Sequence, residues 1–242
     1  MIVLFTDFGL AGPYTGQMKA ILHREAPGVP IVDLFADAPA CDPRASAYLL
    51  AAYSAWLPPG TVFLAVVDPG VGGVRAALVV EADGRRFVGP DNGLFELVMR
   101  RAAAVRACEI AWRPAVLSET FHGRDLFAPV AARLALGTLA PDALRPIEPA
   151  CRAGWPDDLP EVVYIDRYGN AMTGLRAALL PQSARLRAAG HDLARARTFS
   201  EFPSGQAFWY ENANGLAEVA VNACRADTTL GLAIGSPVEV VA

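Results

Sequence analysis

The sequence predicts an α/β fold for its first half and an antiparallel β-fold for its second half. Three observations support this: apolar runs alternate with helical patterns up to about residue 150, a proline- and acid-rich stretch follows, and short strand-like segments come after it. Alternation of strands and helices is typical of a mostly parallel sheet covered by helices on both faces. The length of 242 residues allows one large domain or two smaller ones.

Four buried strands and four helices are predicted in the first half. The strand patterns cover residues 2–6, 31–34, 62–67 and 76–80, and the helical patterns cover residues 15–25, 43–55, 94–101 and 126–136. Together they predict an α/β domain over residues 1–150. In such a domain, ligands bind beyond the carboxyl ends of the strands.

The second half is predicted to form an antiparallel sheet or a small barrel. Its strand patterns cover residues 162–165, 208–210, 216–221 and 238–241, and Asn212-Ala213-Asn214-Gly215 is a hairpin-type turn. Residues 141–160 are rich in proline and acidic residues and are predicted to be a linker. We therefore expect a second, smaller domain over residues 151–242.

Composition argues against several classes of protein. The net charge is −4 and no basic stripe is present, so nucleic acid is not an expected partner. No apolar run is long enough to span a membrane, and the first residues lack the basic region of a signal peptide. The four scattered cysteines favour free thiols in a reducing cytoplasm. The chain also lacks a metal-ligand box, a phosphate loop and a nucleophile elbow, so we expect no metal and no cofactor.

Polar residues follow two of the predicted strands and the apolar pair Phe87-Val88. Asp7 follows the first strand, Asp68 follows a later one, and Asp91-Asn92-Gly93 follows Phe87-Val88. Because the carboxyl ends of parallel strands meet at one edge of the sheet, these residues are candidates for a common ligand site. Each also has a simpler interpretation, since Asp7 could cap the segment after the strand and Asp91-Asn92-Gly93 could be an ordinary turn.

Two loops carry groups that can activate and aim a water molecule. Asp68 precedes Pro69 and a glycine-rich loop that ends at Arg75, and His122 lies at the start of a predicted helix. A carboxylate, a guanidinium and an imidazole together can accept a proton and orient a nucleophile. Taken alone, Arg75 could be a surface arginine and His122 a hydrogen-bonded polar residue, so the interpretation depends on their proximity.

Six short segments are informative as a set. They are Thr6-Asp7-Phe8-Gly9, Val67-Asp68-Pro69-Gly70-Val71-Gly72, Gly89-Pro90-Asp91-Asn92-Gly93-Leu94, Thr120-Phe121-His122-Gly123-Arg124-Asp125, Asp166-x-Tyr168-Gly169-Asn170 and Asn212-x-x-Gly215-Leu216. In order and spacing they resemble the S-adenosyl-L-methionine (SAM) hydroxide adenosyltransferases, the hydrolase branch of the fluorinase and chlorinase superfamily. The resemblance implies the family's fold, an α/β N-terminal domain followed by a smaller C-terminal antiparallel β-barrel domain.

The resemblance also implies a set of site residues. Asp68, Arg75 and His122 would be the catalytic, water-activating residues, and Asp7 would hold the ribose hydroxyls. Asn170 and the backbone near Ala223 would contact the adenine edge, between Tyr168 and Phe199. Asp166 and the turn 212–214 would hold the methionine end. The substrate-binding residues implied beyond Asp7 are Phe121, Asp166, Tyr168, Asn170, Phe199, Asn212, Ala213, Asn214 and Ala223.

The implied reaction is hydrolysis of SAM to adenosine and L-methionine by attack of water on the ribose C5′, in a homotrimer with sites at the subunit interfaces. The halogenating relatives have a tyrosine in place of Asp68, so an aspartate there favours hydrolysis. Two alternatives remain open: a protein that binds adenosyl ligands without turnover, and a metal-dependent nucleotide phosphatase that uses Asp7, Asp68 and Asp91-Asn92. The chain departs from the family's pattern at Gly12-Pro13-Tyr14, Ala213 and Gly174. These departures weaken the expectation that the methionine end is bound as in the rest of the family.

Overall fold

The computed structural model describes residues 1–148 and 151–241. The chain divides into two compact units, Met1–Arg152 and Ala153–Ala242, each with its own hydrophobic core. The α/β fold class is confirmed, because a large sheet with helices makes up the first unit and smaller sheets make up the second. The boundary predicted between residues 150 and 151 adjoins residues 149 and 150, which lie outside the described residues.

The first unit is built on a seven-stranded sheet. Its strands are β1 (Ile2–Thr6), β2 (Ile31–Phe35), β3 (Val62–Val66), β4 (Ala77–Ala82), β5 (Arg85–Pro90), β6 (Val105–Ile110) and β7 (Leu144–Ile147), in the order β2-β1-β3-β5-β4-β6-β7. β1 pairs with β2 and β3 in parallel and β3 pairs with β5 in parallel, whereas the pairs β4–β5, β4–β6 and β6–β7 are antiparallel. The central strands β1 and β3 are buried along their whole length, as their uninterrupted apolar runs predict.

Helices of the first unit match the predicted patterns closely. They are α1 (Tyr14–Glu25), α2 (Pro43–Ser54), α3 (Glu96–Arg101) and α4 (Ala128–Leu136). α2 begins at Pro43 because the Asp42 side chain accepts a hydrogen bond from the Ala45 N–H at 2.9 Å and proline is favoured in the first turn. The helix predicted from residue 126 begins earlier, in a π-helical turn over Gly123–Phe127 that leads into α4.

The predicted linker 141–160 is wrong over its first part. Residues Pro141–Ala143 form a 3₁₀ turn, and β7 pairs with β6 as the outermost strand of the sheet. Pro146 of β7 misled the prediction, because an edge strand tolerates a proline that a central strand would not. Residues 149 and 150 of the predicted linker lie outside the described residues.

Two further elements of the first unit escaped the sequence patterns. β6 was not predicted. β4 was predicted as a strand over residues 76–80, but its hairpin with β5 was not; the turn of this hairpin places Asp83 and Gly84 at φ of 46° and 77°. Positive φ at both central residues is the type I′ geometry that an Asp-Gly pair favours. The pair Asp83-Gly84 was therefore sufficient to predict this turn from the sequence.

The second unit consists of two small sheets and a short helix, α5 (Ala226–Leu230). Its strands are β8 (Leu159–Ile165), β9 (Ala171–Arg176), β10 (Arg185–Ala188), β11 (His191–Leu193), β12 (Arg195–Ala196), β13 (Ala207–Glu211), β14 (Leu216–Val221) and β15 (Val238–Val241). One sheet has the order β12-β13-β14-β9-β8 and the other β11-β10-β15. Within the described part of this unit, the strand pairs are antiparallel except β12–β13. The predicted turn joins β13 to β14, where the Asn212 N–H donates to the Leu216 carbonyl at 2.9 Å.

The described part of the chain contains no helix that combines the length and the apolar character needed to cross a membrane.

Candidate active site

Asp7, Asp68 and His122 line one cavity of the first unit. β1 and β3 are parallel neighbours with Thr6 opposite Val66, so the residues that follow the two strands, Asp7 and Asp68, lie at the same edge of the sheet. His122 enters from the start of the π-helical turn. The cavity has a volume of about 100 Å³, and Phe121 and Cys41 also line it.

Arg75 connects the catalytic candidates. Its Nε donates to Asp68 Oδ1 at 2.9 Å, its Nη2 donates to Asp68 Oδ2, and the same Nη2 lies 3.0 Å from His122 Nδ1. The side chains of Arg75 and Asp68 are only 11% and 4% exposed, so this bidentate pair is shielded from solvent. The structure therefore brings together three residues that the sequence placed in two separate loops.

The loop that carries Arg75 is held by a close backbone approach. Gly72 has φ of 80°, and a Cβ on it would lie 2.5 Å from the Glu119 carbonyl oxygen. Only glycine fits there. The end of β3 is held from the other side, because Asn92 Nδ2 donates to the Val67 carbonyl at 2.8 Å. Asn92 thus supports the backbone next to Asp68.

His122 is held in its neutral form. Burial lowers its pKa and the neighbouring Arg75 lowers it further, while Asp68 opposes the shift. Arg75 has only donors to offer, so Nδ1 of His122 accepts and the proton of the neutral ring is on Nε2. The imidazole therefore presents an N–H group on the side away from Arg75.

Asp7 is a partly desolvated carboxylate in the same cavity. Its Oδ2 accepts a hydrogen bond from the Cys41 N–H at 2.9 Å. Burial raises the pKa of Asp7, the Cys41 N–H opposes the rise, and the charge of Asp68 adds to it. Cys41, at φ of 56°, was not a candidate, because no sequence pattern marks a backbone N–H.

A second cavity, of about 590 Å³, lies in the second unit. Five predicted substrate-binding residues line it: Asp166, Tyr168, Asn170, Phe199 and Ala223. The sequence did not single out Tyr210, Cys224 or Arg225, which also line it. Tyr168 is 77% exposed, whereas Asn170 is 6% exposed, so the cavity combines an open aromatic wall with a buried polar floor.

The floor is a closed turn between Asp166 and Asn170. The Asn170 N–H donates to Asp166 Oδ1 at 2.9 Å, and Asn170 Nδ2 donates to Asp166 Oδ2 at 3.2 Å. The Asp166 N–H donates in return to the Asn170 carbonyl at 3.0 Å. The turn and the ligand contact predicted for Asn170 are therefore compatible, because the turn itself orients the amide.

The turn 212–214 is held mainly by its own hydrogen bonds. Asn212 Oδ1 accepts from the N–H groups of Asn214 and Leu216 at 2.9 and 3.1 Å, and its Nδ2 donates to Glu218. The described residues that line the second cavity include none of Asn212, Ala213 and Asn214. Their predicted contact with the methionine end stays a prediction.

Among the described residues, no group of three or more histidine, cysteine, aspartate and glutamate side chains is arranged to hold a metal ion.

Comparison with known families agrees with the six sequence segments. Residues 2–144 match the SAM hydroxide adenosyltransferase N-terminal domain, and residues 160–239 match the C-terminal domain of the same family. The chain belongs to the SAM hydroxide adenosyltransferase family. The resemblance predicted from the sequence is thereby confirmed.

Relatives of known activity cover the chain nearly end to end. An (R)-S-adenosyl-L-methionine hydrolase of Thermus thermophilus is 43% identical over 257 aligned positions, covering 98% of both chains. A protein of the same name from Salinispora arenicola is 38% identical, covering 98% of this chain and 96% of its own. A solved structure of a conserved protein from Thermotoga maritima has a TM-score of 0.88 at 31% identity and covers all of both chains.

Proposed function

We propose that this protein hydrolyses SAM to adenosine and L-methionine by attack of water on the ribose C5′. The Asp68–Arg75–His122 cluster carries the proposal, since it places an acceptor and an N–H donor at one cavity, with a cation in contact with both. Its membership of the SAM hydroxide adenosyltransferase family and its likeness to two SAM hydrolases support it. The test is analysis of the products after incubation with SAM.

The substrate makes modest chemical demands on the site. SAM is a sulfonium, so its C5′ already carries a good leaving group, and the C5′–S bond breaks to give the neutral thioether of methionine. The protein has to place one water oxygen in line with that bond and accept its proton. Positioning of this kind can supply about 7–11 kcal/mol of barrier reduction at best.

Each member of the cluster has a separate task in this proposal. Asp68 accepts the proton of the water, because a carboxylate has lone pairs left after accepting from Arg75. Arg75 fixes the direction of that carboxylate and stabilises charge that develops on the water oxygen. His122, neutral and protonated on Nε2, donates to the oxygen and orients it. Asp7 binds the ribose hydroxyls in the same cavity.

We propose a homotrimer in which each site takes its catalytic groups from one chain and its base-binding groups from another. The first cavity, at about 100 Å³, is smaller than the roughly 300–1,000 Å³ of ordinary ligand pockets. The second cavity, at about 590 Å³, lies within that range but holds none of Asp68, Arg75 and His122. Closed threefold symmetry would generate three equal sites of this shared kind. The four free cysteines support the cytoplasm as the place of action.

Replacing Asp7 by alanine should weaken adenosine binding by roughly 1–3 kcal/mol, the cost of removing a charged hydrogen-bond acceptor. Titration calorimetry with adenosine measures this change. The matched control is a ligand: wild-type protein should bind 2′,3′-dideoxyadenosine about as weakly as the Asp7→Ala variant binds adenosine. If the Asp7→Ala variant binds 2′,3′-dideoxyadenosine with a loss of binding free energy equal to the sum of the two separate losses, Asp7 does not contact the ribose diol.

The acid limb of the pH–rate profile should belong to His122. Activity needs the neutral ring, whose pKa lies below the ordinary value because of burial and Arg75. The rate should therefore be flat at neutral pH and should fall as the pH drops through that value, below about 6.5. The residual activity of His122→Asn should lack this limb, while the exposed-site control His191→Asn should keep it. A limb that is unchanged in His122→Asn would assign it to another group, such as Asp7.

A further inference from the structure

Residues 89–94 hold both ends of the loop that carries Asp68 and Arg75. Where this loop begins, Asn92 Nδ2 donates to the Val67 carbonyl at 2.8 Å. That carbonyl belongs to the peptide unit that leads into Asp68. Because a peptide unit is planar, a hydrogen bond to its carbonyl also fixes the backbone nitrogen of Asp68. The Asn92 amide therefore sets the point from which the Asp68 side chain extends into the first cavity.

The end of the same loop is held by the neighbouring residue. The Asp91 N–H donates to the Ala76 carbonyl at 3.0 Å, and Ala76 directly follows Arg75 in the chain. Between the two ends, the backbone at Gly72 lies so close to the Glu119 carbonyl that a Cβ would lie 2.5 Å from its oxygen. The loop is thus fixed at its beginning, its middle and its end, and residues 91 and 92 provide two of these three anchors.

Both polar atoms of the Asn92 side chain are engaged by the protein itself. While Nδ2 donates to the Val67 carbonyl, Oδ1 accepts from the Leu94 N–H at 3.2 Å. An amide that joins two backbone segments cannot turn without breaking a hydrogen bond at each of its ends. The described residues that line the first cavity do not include Asn92. The side chain therefore acts on the loop and not on a ligand in that cavity.

A close approach of two strands brings Asn92 to this place. A Cβ on Gly89 of β5 would lie 2.1 Å from the Ala65 carbonyl oxygen on β3 and 2.9 Å from a ring carbon of Phe95. Only glycine fits there. Ala65 lies two residues before Val67, so the close contact at Gly89 brings the turn that contains Asn92 beside the end of β3.

We propose that Asn92 is a positioning residue for the hydrolysis of SAM, which acts through Asp68 and Arg75 by holding their loop in the geometry that the attack of water requires. The inference rests on the proposed function for the reaction itself. A proton acceptor has to lie within about 2.6–3.2 Å of the group that it deprotonates. A displacement of about 1 Å can lower a rate by about 100-fold, even when its cause lies outside the reacting groups.

Replacing Asn92 by aspartate isolates the hydrogen bond to Val67. The variant keeps an oxygen that accepts from the Leu94 N–H, but it turns a second oxygen, an acceptor, toward the Val67 carbonyl. The expected result is a fall in kcat by about 10–100-fold. The dissociation constant for adenosine should stay within about twofold of the wild-type value, because Asn92 acts on the loop and not on the nucleoside. Single-turnover rates and titration calorimetry measure the two quantities.

The matched control lies at the opposite end of β3. Thr61 Oγ1 donates to the Pro58 carbonyl at 2.8 Å, and Thr61→Val removes this hydrogen bond with little change in shape. Both variants lose a hydrogen bond from a side chain to a backbone carbonyl, so both should lose some stability. Thr61→Val should nevertheless keep the wild-type kcat. An equal loss of kcat in the two variants would assign the effect to a general loosening of the sheet and would overturn the inference.

A double-mutant cycle tests whether Asn92 acts through Asp68. In an Asp68→Asn background, Asn92→Asp should change the remaining rate by less than about twofold, because the carboxylate that it positions is already absent. The same fold-loss in both backgrounds would overturn the inference, as would a wild-type kcat in a folded Asn92→Asp variant. If Asn92→Asp does not fold, Asn92→Ala removes the donor without adding a charge and has the same expected results.

The wild-type protein distinguishes a failure of this inference from a failure of the proposed function. A wild type that releases no adenosine from SAM contradicts the proposed function. A wild type that hydrolyses SAM and loses no kcat on Asn92→Asp contradicts only the positioning role.

Discussion

Replacing Asp68 by alanine should lower kcat by about 10²–10⁴-fold, the usual contribution of a positioned acid–base group. The dissociation constant for adenosine should stay near the wild-type value, because Asp68 is proposed to act on the water rather than on the nucleoside. Its two oxygens accept from Nε and Nη2 of Arg75, and His122 Nδ1 lies 3.0 Å from the same Nη2. Single-turnover rates and calorimetry, measured on the same preparation, report the two quantities separately.

The controls for this variant follow from the burial of the pair. Asp68→Ala leaves the 11%-exposed Arg75 without its carboxylate, and breaking such a pair can cost about 3–5 kcal/mol of stability. Asp68→Asn keeps the shape of the side chain but removes its charge, so this variant should lose activity with a smaller loss of stability than Asp68→Ala. Glu109→Ala also removes a carboxylate from an arginine, Arg145, but outside the cavity, and should leave kcat unchanged. A tenfold or smaller loss in a folded Asp68→Asn variant, by the scale of acid–base groups, would remove Asp68 from the mechanism.

Mixing Asp68→Ala with Asp166→Ala should restore activity that neither variant has alone. The two substitutions lie in different units, in the first and the second cavity. If each site draws one unit from each of two chains, random exchange of subunits in a trimer leaves about a quarter of the sites with both halves intact. The measurement is SAM turnover after exchange, with mixed trimers verified by native mass spectrometry.

A second mixture provides the matched control. Asp68→Ala and His122→Ala both damage the first cavity, so no site in their mixed trimers can take an intact first unit. This mixture should stay inactive after full exchange. Failure of the Asp68→Ala and Asp166→Ala mixture to recover, once mixed trimers are shown to be present, would place each complete site within a single chain. Full activity of a protein that solution scattering shows to be a monomer would lead to the same conclusion.

The positions of Asp7 and Asp68 could be predicted because strand order and direction determine them. Both follow apolar runs that form neighbouring parallel strands, so their residues emerge at one edge of the sheet. His122 was identified by its loop and by the resemblance of its segment. The contact between Arg75 and His122, which joins residues 47 positions apart, was not derivable from spacing, because it depends on the loop conformation that Gly72 allows against Glu119.

Glu218 illustrates what the sequence patterns did not reveal. All six residues of β14 are buried, including this charged one. A strand with one solvent-exposed face alternates between polar and apolar residues, whereas Glu218 is a single glutamate in an apolar run. Such a residue is typical of a buried polar network, because buried polar groups are hydrogen-bonded. Its partners, however, come from Tyr210 on β13 and from the turn at Asn212. Cross-strand register decides these contacts, and register was not part of the prediction.

Hydrolysis of SAM in ¹⁸O-labelled water tests the central claim most directly. In the proposed reaction the C5′–S bond breaks, its electron pair leaves with methionine, an oxygen from water bonds to C5′, and the proton passes to Asp68 and then to solvent. Adenosine should therefore carry the label in its 5′-hydroxyl, methionine should carry none, and a chelator should not change the rate. Unlabelled adenosine, label in methionine, or activity that a chelator abolishes and a divalent ion restores would contradict the proposed attack of water on C5′.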